Sequence, residues 1–239
     1  MKGIGRALIL LLAVMIAGSA AALEPCAWAR EPEAGFVTEI HRDTPVSEAW
    51  FEDAWLMGDS ITESLANYDV LPTLPILSRI GQSPQGAMNN HVYEAPGRYR
   101  TMAEEIVFRA PKKLLVMLGS NGIDNTRLPV VLADYHRLVD FFAENLPETD
   151  IYLLAVTPVG PKVKERYRLL TMDNIRAFNA EMREMARTHG MHYIDLFTPL
   201  LSEDGLSVRE GLSTRDGIHL SGEGAAVAAE TIRMSVDGN

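Results

Sequence analysis

Five apolar runs recur along the chain at intervals that leave room for a helix between them. They are Ala54 to Gly58 (AWLMG), Leu74 to Gly81 (LPILSRIG), Lys112 to Ser120 (KKLLVMLGS), Asp150 to Gly160 (DIYLLAVTPVG) and Met191 to Phe197 (MHYIDLF). Continuous apolar runs, unlike alternating ones, predict strands covered on both faces, as in a parallel sheet. Between them the period changes. Val131, Tyr135, Leu138 and Phe142 fall on one face of a helix, and Ile175, Phe178, Met182 and Met185 mark the next. Thr171 is placed to cap that second helix and Gly190 to end it. A last helix is predicted from about Gly222 to Met234. Strand–helix alternation predicts an α/β chain, a three-layer α/β/α sandwich on a mainly parallel five-stranded sheet. In such sheets ligands gather beyond the carboxyl ends of the strands, where Ser60, Gly81, Ser120, Asn121 and Pro158 all fall.

The first stretch follows a different pattern. Lys2 and Arg6 precede an apolar run from Ala7 to Ala17, and Ala20 and Ala22 form a small-residue A-x-A arrangement. This is the pattern of a secretory signal peptide over residues 1–22. An uncleaved anchor is the alternative, although the run is short of the ~20 residues of a membrane span. A lipoprotein anchor at Cys26 fits poorly, because Leu23, Glu24 and Pro25 stand where small residues are expected. Residues 23–50 follow as a lead-in segment, and 51–239 as a single domain.

Composition narrows the partners. Cys26 is the only cysteine, so no intramolecular disulfide and no two-thiol metal site can form. The formal charge is -10; cleavage after Ala22 removes Lys2 and Arg6, giving -10 - 2 = -12. No basic run tracks a phosphate backbone, which argues against nucleic acid. Stable membrane insertion of the mature chain is not expected.

Chemistry enters with "WLMGDSIT", Trp55 to Thr62, where a buried run ends in Gly-Asp-Ser. Ser60 is either a helix cap or a nucleophile. A serine nucleophile needs a base, an acid to orient it and donors for the oxyanion. "STRDGIHLSGEG", Ser213 to Gly224, offers Asp216 and His219 three residues apart, before the last helix. "GSNG", Gly119 to Gly122, offers the Asn121 amide, and the N–H groups of Ser60 and Gly81 are further donors. Each piece alone has a structural explanation as a turn or a cap. Their order along the chain, each at a strand end or before the last helix, is what joins them.

With these residues the sequence resembles the SGNH hydrolases, also called the GDSL esterase/lipase family. Gly58 to Ser60 looks like the nucleophile block and Asp216 to His219 like the D-x-x-H block; "GSNG" resembles the G-x-N-D block, with Gly122 where Asp is usual. The glycine of the remaining block is Gly81, with Gly86 as the alternative. The resemblance spans about Ala54 to Met234. It implies a flavodoxin-like fold and an ester hydrolase that uses neither metal nor cofactor. Ser60 would be the nucleophile, His219 the general base and then acid, and Asp216 its orienting partner. Ser60, Gly81 and Asn121 would form the oxyanion hole. Asp59 reads as a structural hydrogen-bonding residue.

Two other features are weighed. His189 and His192 have metal-like spacing but straddle Gly190, and read as a helix-end and a strand-start histidine. Residues 84–100 and 158–170 read as long loops with solvated charged faces; the alternative is that they line the cleft, where Arg98, Arg100 or Arg168 would meet an anionic glycan or lipid headgroup. The expected function is an exported or periplasmic serine esterase that removes short acyl groups, O-acetyl above all, from a small ester or an acylated glycan. The alternatives are a lysophospholipase or thioesterase for longer chains, and a non-catalytic module that binds a glycan or a partner.

Overall fold

The computed structural model describes residues 36–238. The expected signal segment, Cys26 and the first part of the lead-in lie outside the described residues. In chain order the elements are β1 (Ala54–Gly58), α1 (Ser60–Asn67), β2 (Ile76–Ser78), α2 (Pro84–Asn89), β3 (Tyr93–Ala95), β4 (Arg98–Arg100), α3 (Met102–Arg109), β5 (Lys113–Met117), α4 (Ser120–Asn125), α5 (Leu128–Asn145), β6 (Asp150–Leu154), α6 (Val163–Arg166), α7 (Met172–His189), β7 (His192–Ile194) and α8 (Gly222–Met234).

Five strands form one sheet in the order β2-β1-β5-β6-β7, and every pairing is parallel. β5 and β6 are buried almost throughout, as their unbroken apolar sequences require. Helix α1 packs on α8, while α5 packs with α2, α3 and α7, so both faces of the sheet are covered. Val131, Tyr135, Leu138 and Phe142 of α5 are buried, as are Ile175, Phe178, Met182 and Met185 of α7. The two stripes meet where the Tyr135 and Phe178 rings pack edge to face, 5.4 Å apart. Thr171 caps α7 by accepting from the Asn174 N–H, and Gly190 ends it in the left-handed conformation.

The observed strands are shorter than their apolar runs. β6 stops at Leu154 because Val156 N–H donates to Oδ1 of the buried Asn179 and its carbonyl accepts from Asn179 Nδ2, at 2.9 Å each. Pro158, two residues on, has no N–H to continue a ladder. The two expected loops carry structure of their own. Ser83 caps α2 with Pro84 at its first turn, β3 and β4 form an antiparallel hairpin, and α6 is one short turn within 158–170.

The lead-in is packed on the domain from residue 36 onward. Thr38 C=O accepts from Tyr193 N–H at 2.8 Å on edge strand β7, and the Val37 carbonyl meets His192 Nδ1 at 2.9 Å. Farther on, Arg42 and Val46 donate to the carbonyls of Met234 and Arg233, each at 3.0 Å. Among the described residues no helix is long and apolar enough to cross a membrane.

Candidate active site

Because all five sheet strands run the same way, their carboxyl ends open on one edge, and the loops there assemble the site. β1 delivers Ser60. The turn is tight: a side chain on Gly58 would run into Thr62 and come within 2.6 Å of the Met117 carbonyl on β5. Asp59 caps α1, accepting from Ile61 N–H at 2.9 Å, so Ser60 becomes the first residue of that helix with its side chain half-buried.

The second group comes from the other end of the sequence. Thr214 and His219 close a short loop, with Thr214 N–H donating to the His219 carbonyl at 2.8 Å. Within it Asp216 Oδ1 accepts from Ile218 N–H (2.8 Å), His219 N–H (3.0 Å) and Thr214 Oγ1 (2.9 Å). Its other oxygen lies 2.6 Å from His219 Nδ1. Burial pushes the Asp216 carboxyl up, but the hydrogen bonds from the His219 ring, the two amides and Thr214 outweigh it and hold the group at about 2. A carboxylate of that kind only accepts, so His219 Nδ1 carries the hydrogen and Nε2 of the neutral ring is the acceptor. Ser60 Oγ stands 2.9 Å from Nε2 and donates to it. The line Ser60–His219–Asp216 joins positions 159 residues apart in sequence.

A glycine pair props this loop. Gly217 has φ of +75°, which suits glycine, and a Cβ there would sit 3.1 Å from Gly160 Cα. Gly160 N–H donates to the Gly217 carbonyl at 2.7 Å, tying the chain beyond β6 to the loop that carries Asp216 and His219.

Asn121 lies on the first turn of α4, beyond β5, and its amide is engaged on both sides. Nδ2 donates to Asp59 Oδ2 at 2.9 Å and to the Gln82 carbonyl at 3.2 Å. Ser120 Oγ donates to the same Asp59 oxygen at 2.7 Å. Asp59 is only 2% exposed; desolvation pushes its carboxyl up, and the bonds from Ser120, Ile61 and Asn121 oppose that shift. Asp59 thus fastens the strand that carries Ser60 to the helix that carries Asn121, the structural role expected of it.

Gly81 and Gly86 differ in what their N–H groups do. Gly86 N–H is spent on the Ser83 cap at 3.1 Å. Gly81 sits in an exposed turn after β2 with φ of +73°. The N–H groups of Gly81 and Ser60 have no acceptor among the described residues, which leaves them available to an incoming oxygen.

His189 and His192 turn to separate partners. His189 Nε2 lies 2.9 Å from Asp140 Oδ1, and His192 stacks on Tyr152 with its Nδ1 on Val37. Arg98 and Arg100 are paired with Glu104 and Glu105, while Arg168 is exposed. Sequence reasoning passed over Thr214, Gln82 and the Gly160–Gly217 contact. Gly217 lies inside the D-x-x-H stretch, and a glycine there was the available signal of a left-handed turn.

The model of the GDSL-like lipase/acylhydrolase family matches residues 56–227. Among solved structures, the fold is similar to a GDSL-like lipase from Bacteroides thetaiotaomicron, at 15% identity over 77% of this chain and 87% of that one, with a TM-score of 0.58. It is also similar to a variant of an acetyl-xylooligosaccharide esterase from Geobacillus (15% identity, 75% of this chain, 91% of that one, TM-score 0.52). An acetyl xylan esterase aligns over 75% of this chain and 97% of its own, at 15% identity and a TM-score of 0.55. A search of curated proteins gives no match. At these identities the likeness to solved structures speaks for the fold.

Proposed function

The chain belongs to the GDSL-like lipase/acylhydrolase family, and from that premise we propose that it is an exported serine esterase that removes short acyl groups, O-acetyl above all, from carbohydrate. The observation that carries the reading is the continuous line Ser60 Oγ–His219 Nε2 and His219 Nδ1–Asp216 Oδ2, at 2.9 and 2.6 Å. His219 Nε2 takes the Ser60 proton as Oγ attacks the acyl carbon. Asp216 keeps Nδ1 protonated and offsets the charge that forms on the ring. The carbonyl oxygen becomes an oxyanion facing the N–H groups of Ser60 and Gly81. Asn121 adds its amide by giving up the longer of its two contacts, that to Gln82. His219 then returns the proton to the departing alcohol, and water releases the acyl group by the same steps in reverse.

Two of the similar structures are acetyl esterases of xylan or xylo-oligosaccharides, which favours acetylated sugar as the substrate class. The export assignment rests on the sequence of residues 1–22.

The test is turnover of p-nitrophenyl acetate, butyrate and octanoate by the protein and by Ser60→Ala. The expected result is hydrolysis that falls steeply beyond acetate and drops by about 10⁴–10⁶ in the variant, with Ser60 labelled by an organophosphonate. A rate that rises with chain length would replace this reading with a lysophospholipase or thioesterase. An unlabelled, folded and inactive protein would leave only the binding module.

A further inference from the structure

The surface next to the triad loop carries charge of the opposite sign to the molecule as a whole. The chain has a formal charge of -10, yet a cavity of about 460 Å³ beside the triad loop is lined by Lys162, Arg209 and Arg215, against Glu210 and Asp216. Asp216 is already held by His219 and so offers these cations little. The hydroxyl-bearing Ser207 and Ser213 stand in the same wall, beside the apolar Pro161, Val163 and Val208. Across the ridge of Gly160 and Pro161 lies a second cavity of about 440 Å³, whose charged lining is Lys164 and Asp173. Arg166 and Arg168 follow on the same segment and are exposed.

Several cations elsewhere in the molecule are neutralised, whereas Arg42, Arg79, Lys112, Arg127 and Arg176 stand unpaired among the described residues but apart from this cavity. Arg98, Arg100, Arg109, Arg183 and Arg233 each have a carboxylate partner. Among the described residues, none of Lys162, Lys164, Arg166, Arg168, Arg209 and Arg215 forms an ion pair. Unpaired cations in a concave site attract and orient an anion, and arginine forks match a carboxylate or phosphate on two atoms. The location matters as well. Asp216 forms part of the wall of the first cavity, and only the imidazole of His219 separates it from Ser60.

We infer that this cavity holds an anionic group on the alcohol side of the ester, so that the substrate is an O-acylated acidic glycan. This rests on the esterase reading and adds the charge of the substrate. A glycan suits the site better than a lipid headgroup. The first cavity sets its cations and hydroxyls among apolar side chains, and the second cavity continues past the ridge, as an extended chain requires.

The experiment compares kcat/KM for acetylated polyuronate oligomers and for acetylated xylo-oligomers of equal length. The wild type is expected to favour the acidic series about tenfold at low salt, with the ratio falling towards one in concentrated NaCl. Arg209→Gln combined with Arg215→Gln should lower that ratio about tenfold, mainly through KM. Lys112→Gln, an exposed cation at the far edge of the sheet, should leave the ratio unchanged. A ratio near one in the wild type overturns the inference, as does a ratio the double variant does not move. A preference for lysophospholipid over both glycans overturns it in favour of a headgroup. Hydrolysis of p-nitrophenyl acetate without acidic preference sinks this inference alone, whereas failure to hydrolyse that ester removes the esterase reading and this one with it.

Discussion

Ser60 leaves a strand packed so closely that Gly58 has no room for a methyl group, and Asp59 beside it is 2% exposed. Its partners stand on a surface loop, where the side chains of His219 and Asp216 are 37% and 45% exposed. Ser60 is therefore held by packing against β5, His219 and Asp216 by hydrogen bonds within their own loop and by one glycine contact. Packing against the core ties position to global stability. A loop closed on itself can be displaced without unfolding the protein. The two halves of the proposed triad should accordingly fail in different ways.

The largest effect that separates them is expected from Asp216→Asn. Oriented as the acid is, the amide would offer its N–H₂ to His219 Nδ1, force the other tautomer and leave Ser60 facing a protonated Nε2. By analogy with other serine hydrolases kcat should fall about 10⁴-fold, with the urea midpoint close to that of wild type. Gly58→Ala comes next and should damage both properties. Its methyl must displace Thr62 and the Met117 carbonyl, at a cost of about 2–4 kcal/mol, with turnover down about 10²-fold as Ser60 shifts. Denaturation and esterase assays on one preparation check both numbers. Gly217→Ala is milder. A left-handed φ and the approach to Gly160 cost about 1–2 kcal/mol, spent locally, so turnover should drop about tenfold while the urea midpoint moves little. If Gly217→Ala unfolds the protein as readily as Gly58→Ala, the contrast between core-held and loop-held halves is lost.

The smallest effect is in acid. The folded protein holds Asp216 at about 2, below the ordinary aspartate value of 3.8, so folding favours its ionised form. That stabilisation is full above 3.8 and disappears as the pH falls through about 2. The stability difference between wild type and Asp216→Asn should stay constant from neutral pH to about 4 and narrow below it.

The elements were legible where pattern and end signals agreed. β1 and α8 begin and end at the residues expected, and α7 runs between Thr171 and Gly190 as its cap and stop dictate. That Ser60, His219 and Asp216 meet was legible because the Gly-Asp-Ser and D-x-x-H stretches sit at predictable edges of a parallel sheet. Less could be read where a bond joins distant backbone. Nothing local to Asn179 announces that it ends β6, and nothing near Gln82 shows that its carbonyl meets Asn121. Residues 84–100 were read as loop because α2 is six residues long and β3 and β4 are three each, too short for a hydrophobic period to emerge. The ion pairs of Arg98 and Arg100 were equally out of reach, since they depend on how the hairpin meets α3.

Edge strand β7 would otherwise present part of a bare row of donors and acceptors, ready to take up a strand from a neighbouring molecule. The Thr38 carbonyl occupies one of those donors, Tyr193 N–H, and Phe36 lies over the His192 ring with centroids 4.8 Å apart. The lead-in therefore acts as a selvedge, finishing the woven edge so that it does not catch on another copy. Trimming the chain past residue 38 would reopen that edge while leaving Ser60 and its partners untouched, and self-association would register the loss before catalysis did.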